Sequence, residues 1–236
     1  MIKYLTAILI LFQRTEIQTH PGFLNKTPQK LRFLIVGLQA FNYKKVLEQY
    51  EQSISSEGSL LADIVANDFS KSKFINILDV GCGIAGYHKS YLKLKSCPKV
   101  VLYLMDSSDF NFKALRYGHG EPERYYNSLS IAKSFLTQNS DSKNDIVKIE
   151  IKKDFPEQLP KNFDIIVSFI SWGFHYSLEL YWSLLFNKMN SNSIMILDVR
   201  KESESSFFLN KQSNILSETI SSNGKFNRIK IRRIEK

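Results

Sequence analysis

Cysteine and clustered metal ligands are scarce in this chain. Its 236 residues include two cysteines, Cys82 and Cys97, which could form at most one disulfide bond. A secreted scaffold held together by disulfides is therefore excluded, and a reducing cytoplasm is the expected location. The four histidines are scattered along the chain, so that no metal-ligand spacing is present and no bound metal is expected.

Long apolar runs are also missing. The run Tyr4–Phe12 is interrupted only by Thr6, and as a helix it would span about 14 Å, half of a hydrocarbon core of roughly 30 Å. It could be the apolar region of an export signal, but no cleavage site of small residues follows in Gln13–Glu16. We therefore expect a helix packed on the domain and no stable membrane span.

Negative charge is in the minority. The chain has 32 Lys and Arg against 23 Asp and Glu, a formal net charge of +9. A positive field attracts nucleic acid, anionic membranes or phosphorylated small molecules, and it does not choose among them. The charged fraction of 23% and the hydrophobic fraction of 43% are typical of a folded domain with a sizeable core.

The hydrophobic pattern changes near residue 70. In residues 1–70 apolar side chains recur at helical spacing, which predicts an N-terminal helical cap. From residue 71, short apolar runs alternate with stretches long enough for crossover helices. The predicted strands are Ile75–Val80, Val100–Met105, Ile146–Ile151, Asp164–Ile170 and Ser193–Val199. This alternation predicts an α/β domain over residues 71–236, with a Rossmann-like, mostly parallel, doubly wound sheet.

Two of these strands have patterns that indicate their position in the sheet. Asp164–Ile170 is almost continuously apolar, as expected of a central strand that is covered on both faces. Ile146–Ile151 alternates between apolar and charged residues, which is typical of an edge strand with one wetter face.

The first predicted strand ends in a glycine-rich loop, Asp79-Val80-Gly81-Cys82-Gly83-Ile84-Ala85-Gly86. Gly81 and Gly83 permit tight turns and close approach of a ligand to the main chain, and Gly86 is expected to let the next helix pack on the sheet. The glycine pattern alone also fits a dinucleotide site. Asp79 favours a different ligand, because its carboxylate would repel a pyrophosphate and attract an ammonium or sulfonium group. Asp106, which ends the second strand, could accept hydrogen bonds from a ribose diol.

Over residues 71–200 this arrangement resembles the class I S-adenosylmethionine-dependent methyltransferases. The resemblance implies S-adenosylmethionine as cofactor, with its amino-acid part on the glycine loop and its ribose on Asp106. It also implies that Asp154 contacts the adenine amino group and that Phe155 packs on the ring. The implied cofactor-binding residues are Asp79, Gly81, Cys82, Gly83, Gly86, Asp106, Ser107, Asp154, Phe155 and Ser171.

The C-terminal residues depart from this family, which usually closes its sheet with an antiparallel hairpin. Apolar residues at helix-like spacing predict a helix that ends near Gly224, followed by the single strand Asn227–Ile234. The helix is predicted from Phe208, Leu209, Ile215, Leu216 and Ile220. In the strand, Ile229 and Ile231 are expected to face inward, and Arg228, Lys230 and Arg232 outward.

The segment Ser171-Trp172-Gly173-Phe174-His175-Tyr176 follows the fourth predicted strand, where open α/β sheets bind ligands. His175 has a pKa range suited to taking a proton from a hydroxyl acceptor, although it could equally be a packed core histidine. Trp172, Phe174 and Tyr176 could stack on the acceptor or exclude water from the reaction.

The same segment, together with Tyr125-Tyr126-Asn127-Ser128-Leu129, resembles bacterial sugar O-methyltransferases. This resemblance implies a small-molecule or glycan hydroxyl as acceptor and places Tyr126 and Asn127 among its contacts. No Asn/Asp-Pro-Pro-aromatic motif and no Pro-Cys pair follow the fourth strand, which disfavours methylation of base nitrogens and of cytosine C5.

Three alternatives stay open. Basic residues cluster at the C-terminus and could serve an RNA-directed methyltransferase. They are Lys225, Arg228, Lys230, Arg232, Arg233 and Lys236. A partner subunit that binds the cofactor without turnover is the second alternative. A nicotinamide dehydrogenase is the third, and Asp79 disfavours it.

Overall fold

The computed structural model describes residues 2–14, 17–18, 29–92, 94, 97–106, 127–138, 144–150, 159–202, 207 and 214–234. Four residues predicted to form the site, Ser107, Tyr126, Asp154 and Phe155, lie outside these ranges. The chain divides into two compact units. The first comprises residues 1–70, 83–97 and 107–142, and the second, the sheet unit, comprises residues 71–82, 98–106 and 143–236.

Within the described residues of the sheet unit, seven strands form one sheet, in the order β3-β2-β1-β4-β5-β7-β6. They are β1 Phe74–Val80, β2 Lys99–Asp106, β3 Asp145–Glu150, β4 Phe163–Ser168, β5 Met189–Arg200, β6 Ile215–Ser222 and β7 Phe226–Arg233. Strands β1 to β5 are parallel, whereas β7 runs antiparallel to both β5 and β6. The predicted α/β fold with a mostly parallel sheet is confirmed, as are its five predicted parallel strands.

The hydrophobic patterns predicted the positions of two strands correctly. β4 occupies the middle of the sheet, and every one of its side chains except that of Asp164 is buried. β3 lies at one edge, where Val147 is 37% exposed. The physical reason is that a central strand is covered on both faces, whereas an edge strand keeps one face in water.

The predicted C-terminal helix and lone strand are wrong for the described residues. Residues 215–222 form β6, which pairs with β7 as an antiparallel hairpin. Phe208 and Leu209 lie outside the described residues. β6 is an exposed edge strand with little alternation, which explains the misassignment. The pair Asn223-Gly224 was the signal for a hairpin, and Asn223 Oδ1 accepts hydrogen bonds from the backbone N–H groups of Lys225 and Phe226.

Arg228 also departs from the prediction. It was expected to face outward, but its side chain is 7% exposed and donates to both carboxylate oxygens of Asp198 on β5, at 2.7 and 2.9 Å. Ile229 and Ile231 are buried, as predicted. Arg228 is buried together with them because the Asp198 carboxylate satisfies the guanidinium.

The first unit is helical, as predicted for the N-terminal residues. Its helices are α1 Ile2–Gln13, α2 Gln29–Phe41, α3 Tyr43–Ser53, α4 Ser55–Asp68, α5 Lys89–Leu92 and α6 Leu129–Thr137; α7 Trp182–Phe186 belongs to the sheet unit. The apolar run near the start of the chain forms α1, which packs on α2, α3 and α6. None of the described helices is long and apolar enough to cross a membrane.

Candidate functional site

The glycine loop begins at the carboxyl end of β1, beside the end of β2. Asp79 is fully buried near the end of β1. The backbone N–H groups of Gly81 and Cys82 both donate to the carbonyl oxygen of Met105, at 2.7 and 3.3 Å. These bonds hold the start of the loop against β2 and turn the chain away from the sheet.

Gly81 is the tightest position of this turn. Its φ is +69°, and a Cβ atom built on it would overlap the hydroxyl of Ser171. Glycine is therefore required at position 81 for two reasons: the backbone is left-handed, and Ser171 occupies the space that a side chain would need. Two predicted site residues from distant parts of the sequence thus meet in the sheet unit.

The second half of the loop belongs to the first unit. Gly83 has a φ of +54° and Ala85 a φ of +56°, so that the chain bends twice more in the left-handed region. The side-chain oxygen Oε1 of Gln13 accepts a hydrogen bond from the Ile84 backbone N–H at 3.2 Å. Gln13 was not predicted as a site residue, since its contact with the loop spans 71 positions of sequence.

Gly86 has a different role from the one predicted. It was expected to let the next helix pack on the sheet, but a Cβ atom at Gly86 would lie 2.5 Å from the Tyr50 ring. The Gly86 N–H donates to the Tyr50 hydroxyl at 3.1 Å. Gly86 thus makes room for α3 within the first unit.

Asp106 ends β2, the strand next to β1 in the sheet. In the parallel register Asp79 lies opposite Leu104, and Val80 lies opposite Met105. Asp79 and Asp106 therefore stand at the same edge of the sheet on adjacent strands, one fully buried and one half-buried. Carboxylates in this arrangement are suited to bind a ligand that carries both a cation and hydroxyl donors.

The carboxyl end of β4 is tied to β1 and is strained. The Ser168 hydroxyl donates to the Val80 carbonyl and accepts from the Trp172 N–H, both at 2.8 Å. Two residues beyond β4, Ile170 has a φ of +55°. A β-branched residue in the left-handed region is an outlier, and such strain is concentrated at functional sites.

The segment after β4 folds around one carbonyl group. The backbone N–H groups of Phe174, His175 and Tyr176 all donate to the oxygen of Ser171, at 3.1, 2.7 and 3.2 Å. Phe174 is half-buried, and the His175 and Tyr176 side chains are exposed. His175 is therefore accessible and is not a packed core residue.

The position of Trp172 differs from the one predicted. It was expected to contact the acceptor, but its side chain has no exposed surface and its indole N–H donates to the Leu178 carbonyl at 3.1 Å. It packs against Tyr181 and Trp182 in the core of the sheet unit. An indole that is buried and hydrogen-bonded in this way stabilises the segment by packing in the core, and it is not accessible to an acceptor.

Arg200, at the end of β5, was also missed by sequence reasoning. Its guanidinium carbon lies 4.7 Å from the centre of the Phe174 ring, and its backbone N–H donates to the Gly173 carbonyl at 3.1 Å. The strand pattern gives no signal for this contact, because it depends on how the loop after β4 folds back on β5.

Asn127, a predicted acceptor contact, lies in the first unit and is buried. Its side-chain oxygen accepts hydrogen bonds from the Ser128 N–H at 2.8 Å and from Gln13 Nε2 at 3.5 Å. Ser128 in turn caps α6. The structure thus brings Asn127 to the glycine loop through Gln13.

A perturbed carboxyl group lies away from these residues. Burial raises the pKa of Asp164, and a hydrogen bond from the Asn76 N–H opposes that shift. Asp164 is the second residue of β4, at the amino end of the strand. Ligands of open α/β sheets bind at the carboxyl ends, so that this pKa shift reflects strand packing.

No protein-family model matches the chain. No curated protein matches it either. Among solved structures, the chain is similar to the ribosomal protein L11 methylase of Lactobacillus delbrueckii subsp. bulgaricus, with a TM-score of 0.51, 16% identity, and coverage of 76% of this chain and 80% of that chain. It is also similar to a protein of Listeria monocytogenes described as a class I S-adenosylmethionine-dependent methyltransferase, with a TM-score of 0.51, 14% identity, and coverage of 98% and 87%.

Proposed function

We propose that this chain, which has the class I methyltransferase fold, binds S-adenosylmethionine and transfers its methyl group to a hydroxyl group of a small molecule or sugar. One observation carries the proposal. The glycine loop begins one residue after the buried Asp79 carboxylate and turns through left-handed backbone at Gly81, on the strand next to the one that ends in Asp106.

The donor set fits this cofactor. S-adenosylmethionine carries an ammonium group, a sulfonium group and a ribose diol, and the sheet unit offers two carboxylates, Asp79 and Asp106, on adjacent strands. A pyrophosphate would be repelled by the same pair. Gly81 turns the chain through left-handed backbone at the end of β1, with the Ser171 hydroxyl in the place that its side chain would take. Asp154 and Phe155 remain predictions for the adenine end.

The protein's own residues would bind, orient and shield the reactants. When bound, the cofactor supplies an electrophilic methyl group, and the protein contributes alignment. Asp79 would hold the cationic part and Asp106 the ribose hydroxyls. His175, exposed on the segment after β4, would take the proton from the acceptor hydroxyl. Phe174, with Arg200 over its ring, and Tyr176 would limit access of water.

Calorimetry on the intact chain tests the cofactor. We expect S-adenosylmethionine and S-adenosylhomocysteine to bind and NADH not to bind. Asp106→Ala is expected to weaken binding by about 10- to 100-fold, because it removes hydrogen bonds to a charged acceptor worth about 1.5–3 kcal/mol. Asp145→Ala is the matched control, since Asp145 is an exposed carboxylate at the amino end of β3.

The acceptor is tested by the release of S-adenosylhomocysteine in the presence of sugars and phenols. His175→Gln is expected to slow this release without weakening cofactor binding. Binding of NADH in place of the two adenosyl ligands would contradict the proposal. Cofactor binding with no turnover on any hydroxyl compound would favour the partner-subunit alternative.

A further inference from the structure

The end of α1 lies on the second half of the glycine loop, within the first unit. Gln13 is the last residue of α1, and its Oε1 accepts the hydrogen bond from Ile84 N–H. A Cβ atom built on Gly83 would lie 2.8 Å from the same oxygen. The carboxamide therefore rests against main chain that only a glycine leaves open.

A second contact orients the carboxamide. Its Nε2 donates to Oδ1 of Asn127, which is buried and held by the Ser128 N–H. Because the oxygen and the nitrogen of the amide have different partners, the side chain has a defined orientation between the loop and the start of α6. A functional group that is held by a supporting residue in this way is preorganised.

We propose that Gln13 contacts the amino-acid end of the cofactor and makes cofactor binding depend on that end. This inference rests on the proposed function, in which the glycine loop receives the amino-acid part of S-adenosylmethionine. A carboxylate that approaches the main chain at residues 83–84 meets the Gln13 carboxamide, which is neutral and carries hydrogen-bond donors. A glutamate at the same position would repel that carboxylate.

Two ligands separate this role from a structural one. S-adenosylhomocysteine has the amino-acid end, whereas 5′-methylthioadenosine keeps the adenosine and the thioether and lacks it. Both are titrated by calorimetry into the wild type, Gln13→Glu, Gln13→Ala and Gln52→Glu. Gln52 is exposed on α3, so that its variant carries the same charge change away from the loop.

We expect Gln13→Glu to lower the affinity for S-adenosylhomocysteine at least about tenfold. The affinity for 5′-methylthioadenosine is expected to change less than about twofold. Gln13→Ala is expected to lower the affinity for S-adenosylhomocysteine by about 2- to 10-fold, which corresponds to the loss of one net hydrogen bond. Gln52→Glu should leave the affinity for both ligands unchanged. The alanine variant keeps the test decisive if the glutamate variant does not fold.

Equal weakening of both ligands, or unchanged binding of S-adenosylhomocysteine in both Gln13 variants, would overturn the role of Gln13 and leave the cofactor assignment standing. A wild type that binds neither ligand would overturn the proposed function, and the role of Gln13 would fall with it. The two failures are therefore distinguishable in the same experiment.

Discussion

At the scale of single residues, the shape of the glycine loop depends on side chains that occupy the space where a glycine lacks a Cβ atom. Ser171 occupies the position of a Gly81 side chain, Gln13 lies against Gly83, and Tyr50 lies against Gly86. In each case a larger residue would push away the group that shapes the loop. The glycine motif thus encodes contacts within the chain.

Gly81→Ala is expected to destabilise the protein by about 1–3 kcal/mol, because the new methyl group overlaps Ser171 and the left-handed backbone is unfavourable for alanine. Chemical denaturation measures this change in the free energy of unfolding. Gly224→Ala is the matched control, since no atom lies within 4 Å of a Cβ built there. A loss of stability no larger than that of the control would show that the loop relaxes around the methyl group.

At the scale of secondary structure elements, the hairpin β6–β7 is joined to the parallel strands by a buried ion pair. Arg228 on β7 makes two hydrogen bonds to Asp198 on β5, and its guanidinium carbon lies 4.4 Å from the centre of the Phe169 ring. Phe169 follows β4 directly. The hairpin therefore supports the same end of the sheet as the segment that carries His175.

Arg228→Met is expected to lower the free energy of unfolding by about 3–5 kcal/mol, because it leaves the Asp198 carboxylate buried without its cation. The double variant Arg228→Met, Asp198→Leu is expected to recover much of this loss, which a double-mutant cycle by urea denaturation would measure. Lys230→Met is the control, since the Glu218 carboxylate that Lys230 faces at 3.7 Å is 63% exposed, and such a pair is worth under about 1 kcal/mol. A double variant as unstable as the single one would contradict this account.

At the scale of the whole molecule, the chain carries a net charge of +9, and part of this charge lies on the described residues of the C-terminal hairpin. Three of its cations have partners in the sheet unit: Arg228 binds Asp198, Lys230 lies near Glu218, and Arg233 donates to the Met189 carbonyl at 2.9 Å. We expect these three cations to contribute little to RNA binding, since phosphate binding needs cations that face the solvent.

RNA affinity should accordingly be weak. We expect fluorescence anisotropy with a labelled single-stranded RNA to give a Kd in the non-specific range, about 10⁻⁴–10⁻⁶ M at physiological salt, and to weaken further as NaCl is raised. A nanomolar Kd that persists at physiological salt would instead favour the RNA-directed enzyme. Titration of S-adenosylhomocysteine under the same conditions is the control, because binding shows that the protein is folded and able to bind the cofactor.

Local sequence was enough to predict the five parallel strands, the central position of β4, the edge position of β3 and the glycine loop, because strand burial and tight turns depend on local composition. Asn223-Gly224 was also a local signal, and the hairpin that it marks was missed because β6 is exposed and lacks alternation. Which side chains meet at the loop depends on tertiary packing. Gln13, Ser171 and Arg200 reach their contacts across long stretches of chain, and Trp172 is buried by packing that no local pattern reports. Such contacts depend on how strands and helices pack together, and not on the residues next to them in sequence.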